Sequence, residues 1–249
     1  MPLFFISPRN IDEKNKAIVI SGKEARHITK SLRHRENEEI LLSDGIEKKY
    51  VAKIKNIENE LIECSIIYTI EDSKNDLPVK IILAQAILKK NKMEWVIQKA
   101  TELGISEIIP FTSSRTIPLI QEKREDKKME RWQKIAIEAS KQSERIRVPR
   151  IHTIIHYNEL LKETEKHDFS LIFWEDEKHN TIKKVLNKKQ KTNKIIYIIG
   201  PEGGFSLEEI SLAKNRDISL VSLGKYVVRS ETAAIFALSI FNYHYSPDK

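Results

Sequence analysis

Cysteine is almost missing from this sequence. Cys64 is the single one in 249 residues, which excludes an intramolecular disulfide and any zinc site built on clustered thiolates. Glycine is scarce, with 7 residues, and aromatics make up 7%. The longest uninterrupted apolar stretches, Ile195 to Ile199 and Ala233 to Leu238, fall far short of the roughly 18 to 20 residues that a membrane-spanning helix requires. The opening Met1-Pro2-Leu3-Phe4-Phe5-Ile6 lacks the basic n-region and long apolar h-region of a secretory signal. No membrane partner is expected, and the expected address is cytoplasmic. What is abundant is charge: 43 Lys+Arg against 36 Asp+Glu, a net +7, with 40% hydrophobic and 32% charged residues. That balance supports a real core and argues against disorder. The length suits one large domain, or a small one joined to a medium one. The positive excess suits attraction to a polyanion such as nucleic acid. It suits equally a chain whose solvated faces happen to carry lysine, and charge alone leaves both readings open.

From Met1 to about Glu71 the pattern is short and strand-like: Phe4 to Ile6, Ala17 to Ile20, Glu39 to Leu42, Tyr50 to Ile57 and Leu61 to Ile70, many with period-two alternation. A helix is expected over Lys23 to Arg33, and Asp44-Gly45 reads as a turn between two strands. The polar run Glu71 to Asp76 reads as a linker and a domain boundary. Beyond Pro78 the period changes. Strand candidates at Val79 to Ile87, Ser106 to Phe111, Arg150 to Ile155, Phe169 to Trp174, Lys194 to Ile199 and Ile218 to Ser222 alternate with helical patterns. One helix carries Met93, Val96, Ile97, Ala100 and Leu103 on one face and stops at Gly104. A longer one carries Met129, Trp132, Ile135, Ala136 and Ala139, and another opens with the capping-box spacing Ser206 to Glu209. Strands alternating with helices imply an α/β domain with a mainly parallel sheet. The Lys-rich stretch Lys183 to Lys194 reads as a solvated helix end and loop.

The few glycines are unevenly placed. Four of the seven, Gly200, Gly203, Gly204 and Gly224, fall in two loops after strands. In a parallel α/β sheet, ligands bind outside the carboxyl ends of the strands, where glycine lets the backbone approach closely. Those loops are therefore the expected pocket, although Gly200 to Gly204 also fits an ordinary tight turn feeding the capped helix at Ser206. Gly-x-x-Gly-Gly is neither the dinucleotide fingerprint nor a Walker loop, and Glu202 would repel a phosphate. A ligand with an adenosine or amino-acid part and no polyphosphate fits better. The second loop, Leu223 to Thr232, leads into Ala233 to Tyr245, a helix with so few polar positions that it must be buried in the core or against another subunit. Arg229 and Glu231 beside it are either functional or a structural ion pair at its N-terminus.

Other constellations are weaker. His152 and His156 are four residues apart but lie in a strand-like stretch without Cys or carboxylate neighbours, so no metal site is expected. No Gly-x-Ser-x-Gly elbow occurs, and Cys64 reads as a buried, inert thiol. Of the basic segment Lys123 to Arg150, only its end, Gln142 to Arg150, is concentrated enough to suggest phosphate contacts.

Taken in order, these residues resemble a known family, the bacterial 16S ribosomal RNA uridine-N3 methyltransferases of the knotted SPOUT class. The resemblance is carried by His27, Leu32-Arg33 and Leu41 to Gly45; by Lys92-Met93-Glu94, Gln98 to Gly104 and Pro110; and by Arg115, Trp132 to Ile135, Glu138-Ala139, Gln142, Arg145 and Pro149. Its most specific motifs are Gly200-Pro201-Glu202-Gly203-Gly204 and Leu223-Gly224 with Val228-Arg229 and Glu231-Thr232-Ala233. It spans nearly the whole chain. Leu3 stands where the family often has Arg, and Asn37 and Lys90 where Gly is frequent. Asn tolerates the left-handed conformation, so the turn at Asn37 is expected to persist.

The resemblance implies an α/β protein: residues 1–72 a small PUA-like β-barrel domain for RNA, and residues 73–249 a SPOUT trefoil-knot methyltransferase domain with a parallel sheet. It implies S-adenosylmethionine as cofactor, 16S ribosomal RNA or the assembled small subunit as substrate, a homodimer and no metal. The cofactor residues it implies are Phe173, Ile199, Gly200, Pro201, Glu202, Gly203, Gly204, Leu223, Gly224, Val228, Ser230 and Thr232. Arg229 and Glu231 are the implied catalytic residues, with Arg229 facing a uridine anion and Glu231 orienting Arg229 or accepting the proton. His27, Arg33, Arg115, Gln142 and Arg145 are the implied RNA contacts. The competing readings are a knotted 2′-O-ribose methyltransferase, a catalytically silent RNA-binding protein and a nucleotide-binding module.

Overall fold

A computed structural model describes residues 1–71, 77–117, 122–188 and 192–246. Apart from Glu71, the expected linker lies outside the described residues, and so does the boundary drawn after residue 72. By spatial proximity the chain divides into two units, Met1–Asp76 with Ile137–Val148, and Leu77–Ala136 with Pro149–Lys249.

The first unit is built on β1 (Leu3–Phe5), β2 (Ile11–Asp12), β3 (Ala17–Ser21), β4 (Glu39–Ser43), β5 (Lys48–Glu58) and β6 (Leu61–Glu71), with a short helix α1 (Gly22–Arg26) that continues as a wider turn to Ser31. The strands form one sheet in the order β1-β4-β5-β6-β3-β2, antiparallel except for β1 beside β4. No pairing joins β1 to β2, so the hydrogen-bonded path stays open. Register shifts at Val51/Ala52 and Ile54/Asn56 bend the long β5-β6 ribbon. Phe4, Ile18, Ile20, Ile40, Leu42, Tyr50, Ile54 and Ile62 then meet in one core. That is the alternation read from the sequence, with Glu39 out, Ile40 in and Leu42 in. The Asp44-Gly45 turn forms as expected. Asp44 Oδ1 accepts the N–H groups of Ile46, Glu47 and Lys48 at 2.8, 2.9 and 3.0 Å, while Gly45 takes a φ of +73°. Leu3, where the family often has Arg, is buried in β1 at 3% exposure. Asn37 and Lys90, which stand for frequent glycines, both keep the left-handed backbone, at φ +72° and +54°.

The second unit alternates β7 (Lys80–Ala86), α2 (Lys92–Glu102), β8 (Glu107–Thr112), α3 (Glu122–Gln142, whose residues from Ile137 onward belong to the first unit), β9 (Arg150–Ile151), β10 (Ile155–His156), α4 (Tyr157–Glu163), β11 (Phe169–Phe173), α5 (Ile182–Lys188), β12 (Lys194–Ile199), α6 (Leu207–Lys214), β13 (Ser219–Val221) and α7 (Ser230–Tyr245). All pairs in its sheet are parallel, in the order β10-β8-β7-β12-β11-β13, with β9 also on β8. Ile81 to Ala84 and Ile195 to Ile198 are wholly buried, as continuous apolar strands covered on both faces should be. Each such side chain contributes about 1.5–3 kcal/mol by leaving water.

The single strand expected over Arg150 to Ile155 is two short pieces. Pro110 is the cause. Ile108 accepts the N–H of His152, so the next residue but one, Pro110, faces the same neighbour and has no N–H to offer. The pairing resumes only at Ile155 beside Phe111.

Helix α7 is buried on one face only within this chain. Ala233, Ala234, Ala237, Leu238 and Phe241 are buried, but Phe236 and Tyr243 stand out at 44% and 89% exposure. No helix among the described residues is long and apolar enough to cross a membrane.

Candidate cofactor and catalytic site

β12 and β13 end at the same edge of the parallel sheet, and their loops face each other. Loop 200–204 follows β12, and Ser206 stops it by capping α6: its hydroxyl accepts the Glu209 N–H at 3.1 Å, while Glu209 Oε2 accepts the Ser206 N–H at 2.9 Å. The chain after β13, at the sheet's edge, returns across β11 so that Ser230, the first residue of α7, reaches Gly200 after β12 and Gln85 on β7. Between the loops lies a cavity of about 350 Å³. Of the residues implied by the resemblance, Phe173, Ile199, Gly200, Pro201, Glu202, Gly204, Leu223, Gly224, Val228, Arg229 and Ser230 line it.

Two of the glycines are tied to their surroundings. A Cβ at Gly200 would stand 2.9 Å from the Phe205 ring. Gly204 has a φ of +66°, and a Cβ there would run into the Glu175 carboxylate. Gly203 is on the loop but not on the cavity wall; its carbonyl accepts the Arg115 guanidinium at 2.9 Å. Arg115, implied as an RNA contact, thus braces loop 200–204. Thr232 is exposed on α7, away from the lining.

Arg229 is the N-cap of α7, exposed beside the cavity, and no carboxylate among the described residues pairs with it. Glu231 does not orient it. Glu231 Oε1 lies 3.3 Å from Lys92 Nζ, and the same ammonium lies 3.3 Å from Glu202 Oε1. The Lys89 N–H also reaches Glu202 Oε1, at 3.2 Å. Glu231 Oε2 is buried without a donor. Burial disfavours ionisation of Glu202, yet backbone N–H groups and Lys92 outweigh it and hold its pKa below the ordinary carboxylate range. Burial likewise opposes the charge on Lys92, but its two carboxylates outweigh that and raise its pKa. Glu202 and Lys92 are therefore both charged at neutral pH.

The cavity wall mixes charges, Glu175 and Glu202 against Lys92, Lys225 and Arg229, and so suits a ligand that carries both signs of charge. His152 meets Glu107 at 2.6 Å, a pairing the sequence did not suggest. No group of three or more potential metal ligands occurs among the described residues. Burial pushes the Cys64 thiol up to about 12, in keeping with an inert thiol.

Among known families, one described as RNA methyltransferase domain matches residues 75–242, and one described as RNA methyltransferase PUA domain matches residues 20–67. Ribosomal RNA small subunit methyltransferase E of Bacillus subtilis (strain 168) is 31% identical over 237 residues, which cover 93% of this chain and 91% of that protein. The chain belongs to the ribosomal RNA small subunit methyltransferase E family. A family structure from Neisseria gonorrhoeae, bound to S-adenosyl methionine, superposes with a TM-score of 0.86 at 31% identity, covering 98% of this chain and 97% of that one. A Legionella pneumophila methyltransferase in complex with the same cofactor gives 0.85 at 30% identity, with the same coverage.

The implied cofactor residues cover the loops but not every residue on the wall. Lys92, Trp174, Glu175, Phe205, Ser222 and Ala233 also line the cavity. Trp174, Glu175 and Ser222 follow strand ends, where the rule for parallel sheets directs attention. Lys92 was visible only as part of a motif, because nothing local to it announces carboxylates more than a hundred residues away. His27 and Arg33 are exposed in the first unit, where Gln142 is exposed and Arg145 half-buried in the segment that joins them. Lys141 ties that segment to α1 through Glu24 at 2.6 Å.

Proposed function

We propose that this protein transfers a methyl group from S-adenosylmethionine to N3 of a uridine in 16S ribosomal RNA, working in the cytoplasm as a homodimer. In this reading residues 1–72 bind RNA and residues 73–249 carry the catalytic knot. The observation that carries it is the cavity between the glycine loops, walled by Glu175 and Glu202 together with Lys92, Lys225 and Arg229, in a chain of this family. The cofactor would be held by the backbone of loops 200–204 and 223–228, with Glu175 and Glu202 beside its positive charge, and it supplies an electrophilic methyl group.

The remaining requirements fall on the chain. The target base leaves its stack to enter the site, guided by His27, Arg33, Arg115, Gln142 and Arg145. Alignment of the two reactants accounts for about 7–11 kcal/mol of barrier reduction. N3 must lose its proton, which passes to the carboxylates held by Lys92, with Glu231 the acceptor; a positioned base is worth ~10²–10⁴ in rate. Arg229, free of any carboxylate partner among the described residues, faces the negative charge that develops on the base. The Arg229→Ala protein should therefore keep its cofactor affinity and lose about 10²–10³ in kcat. Full turnover would remove Arg229 from the reaction. The open face of α7, with Phe236 and Tyr243 at 44% and 89% exposure and Trp95 of α2 at 43%, supports the dimer. Sedimentation should give twice the chain mass.

The deciding experiment is transfer of labelled methyl to small subunits lacking the modification, followed by mass spectrometry of the nucleosides. Label in 3-methyluridine is the expected result. Label on a ribose 2′-oxygen would replace this reading with the other knotted chemistry, and no label at all would leave only RNA binding.

A further inference from the structure

Gln85 is wholly buried in β7, among Ile, Leu and Ala side chains. Its Nε2 donates to the Ala86 carbonyl and to Ser230 Oγ, both at 3.1 Å, while its Oε1 has no partner. Ser230 Oγ in turn donates to the Gly200 carbonyl at 2.5 Å. An apolar side chain of the same shape would fill this place without leaving an acceptor unmet, so stability does not explain the amide. Its position does. Gln85 pairs with Ile199 in the sheet register, beside the point where β12 gives way to the glycine loop. Its hydroxyl partner, Ser230, opens α7 next to Arg229.

We propose that Gln85 is a positioning residue for methyl transfer: through Ser230 it fixes the Gly200 carbonyl and the head of α7, and so sets the cofactor loop and Arg229 together. The inference rests on the function proposed above. The relay is anchored at one end, since β7 lies inside the sheet. The hydroxyl between them accepts from one and donates to the other, so losing either contact releases the loop.

The test compares the parent with Gln85→Met, Ser230→Ala and the double variant by calorimetric titration with S-adenosylmethionine, thermal melting and amide hydrogen exchange. Gln85→Met should melt no lower than the parent yet bind the cofactor about tenfold more weakly, a factor that corresponds to ~1.4 kcal/mol. Ser230→Ala should show the same loss, and the double variant should be no weaker than Ser230→Ala alone. Exchange at the Gly204 amide, which is bonded to the Pro201 carbonyl, should quicken in all three without any cofactor present. Parent-like binding by Gln85→Met, losses that add in the double variant, or unchanged exchange at Gly204 would each overturn the proposal. If Gln85→Met does not fold, exchange at Gly204 in Ser230→Ala decides it. A parent protein that fails to bind the cofactor would instead strike the proposed function, while the exchange measurement would still judge the relay.

Discussion

The two sheets of this protein keep their chemistry in different places. In the first unit, strands alternate: Ile18 and Ile20 point into the core while Val19 between them stands at 37% exposure. Side chains on the outer face are thus free to meet a partner. In the second, β7 and β12 are covered on both faces, and their side chains are committed to packing. Function there can live only where strands stop, and the cavity is lined by the residues just past β11, β12 and β13. A half-solvated antiparallel sheet offers a surface; a doubly covered parallel one offers an edge.

That contrast can be broken or sharpened by substitution. The largest difference is expected for packing. Ile198→Ala, in a wholly buried strand, should cost about 2–5 kcal/mol in a denaturant titration, whereas Val19→Ala should stay within about 0.5 kcal/mol. Equal costs would mean that the outer face of the first sheet is covered after all. Next come the glycines. Gly204→Ala places a Cβ at a φ of +66° and pushes the Glu175 carboxylate aside; it should cost about 1–2 kcal/mol of stability and weaken S-adenosylmethionine binding through the displaced Glu175. Gly45→Ala, at φ +73° but with no neighbour nearer than 3.5 Å, should cost about 1–2 kcal/mol of stability and leave cofactor affinity alone.

The smallest effect belongs to the far end of the parallel sheet, where Glu107 meets His152. His152 holds the Glu107 carboxyl below its ordinary 4.5, against the opposing pull of burial. A carboxylate with a lowered folded pKa stabilises the fold above its unfolded value, and that contribution is lost as pH falls through the folded one. Between about pH 5 and 3, Glu107→Gln should therefore flatten part of the fall in melting temperature. A curve identical to the parent's would show that the pair contributes nothing.

How much of this was legible beforehand followed the same divide. Alternation in β4 to β6 and the Asp44 turn are local signals, and both appeared where expected. The glycine loops stood out because so few glycines occur elsewhere, and family motifs added the residues around them. The break between β9 and β10 went unread because its cause, Pro110, lies on the neighbouring strand. The segment Ile137–Val148, which joins the first unit, was unreadable for a related reason: its carbonyl at Ile146 is held by Ser43 Oγ at 3.0 Å, from across a hundred residues. Lys92 with its two carboxylates, and Gln85 with Ser230, are likewise meetings of distant segments, for which periodicity carries no sign.

The return of the chain from β13 to α7 has a consequence for how the protein reaches its working state. The cavity wall is drawn from Lys92, from the end of β11, from loop 200–204 and from residues 222–233, so no contiguous stretch holds the whole site. A chain whose α7 has not docked lacks the wall that residues 222–233 supply. Cofactor binding then acts as a ratchet on maturation. At a hundredfold excess over its dissociation constant it would add about 2.7 kcal/mol to the finished fold and nothing to an unfinished one. Cellular supply of the methyl donor would thus govern how much mature enzyme persists, as well as how fast it turns over.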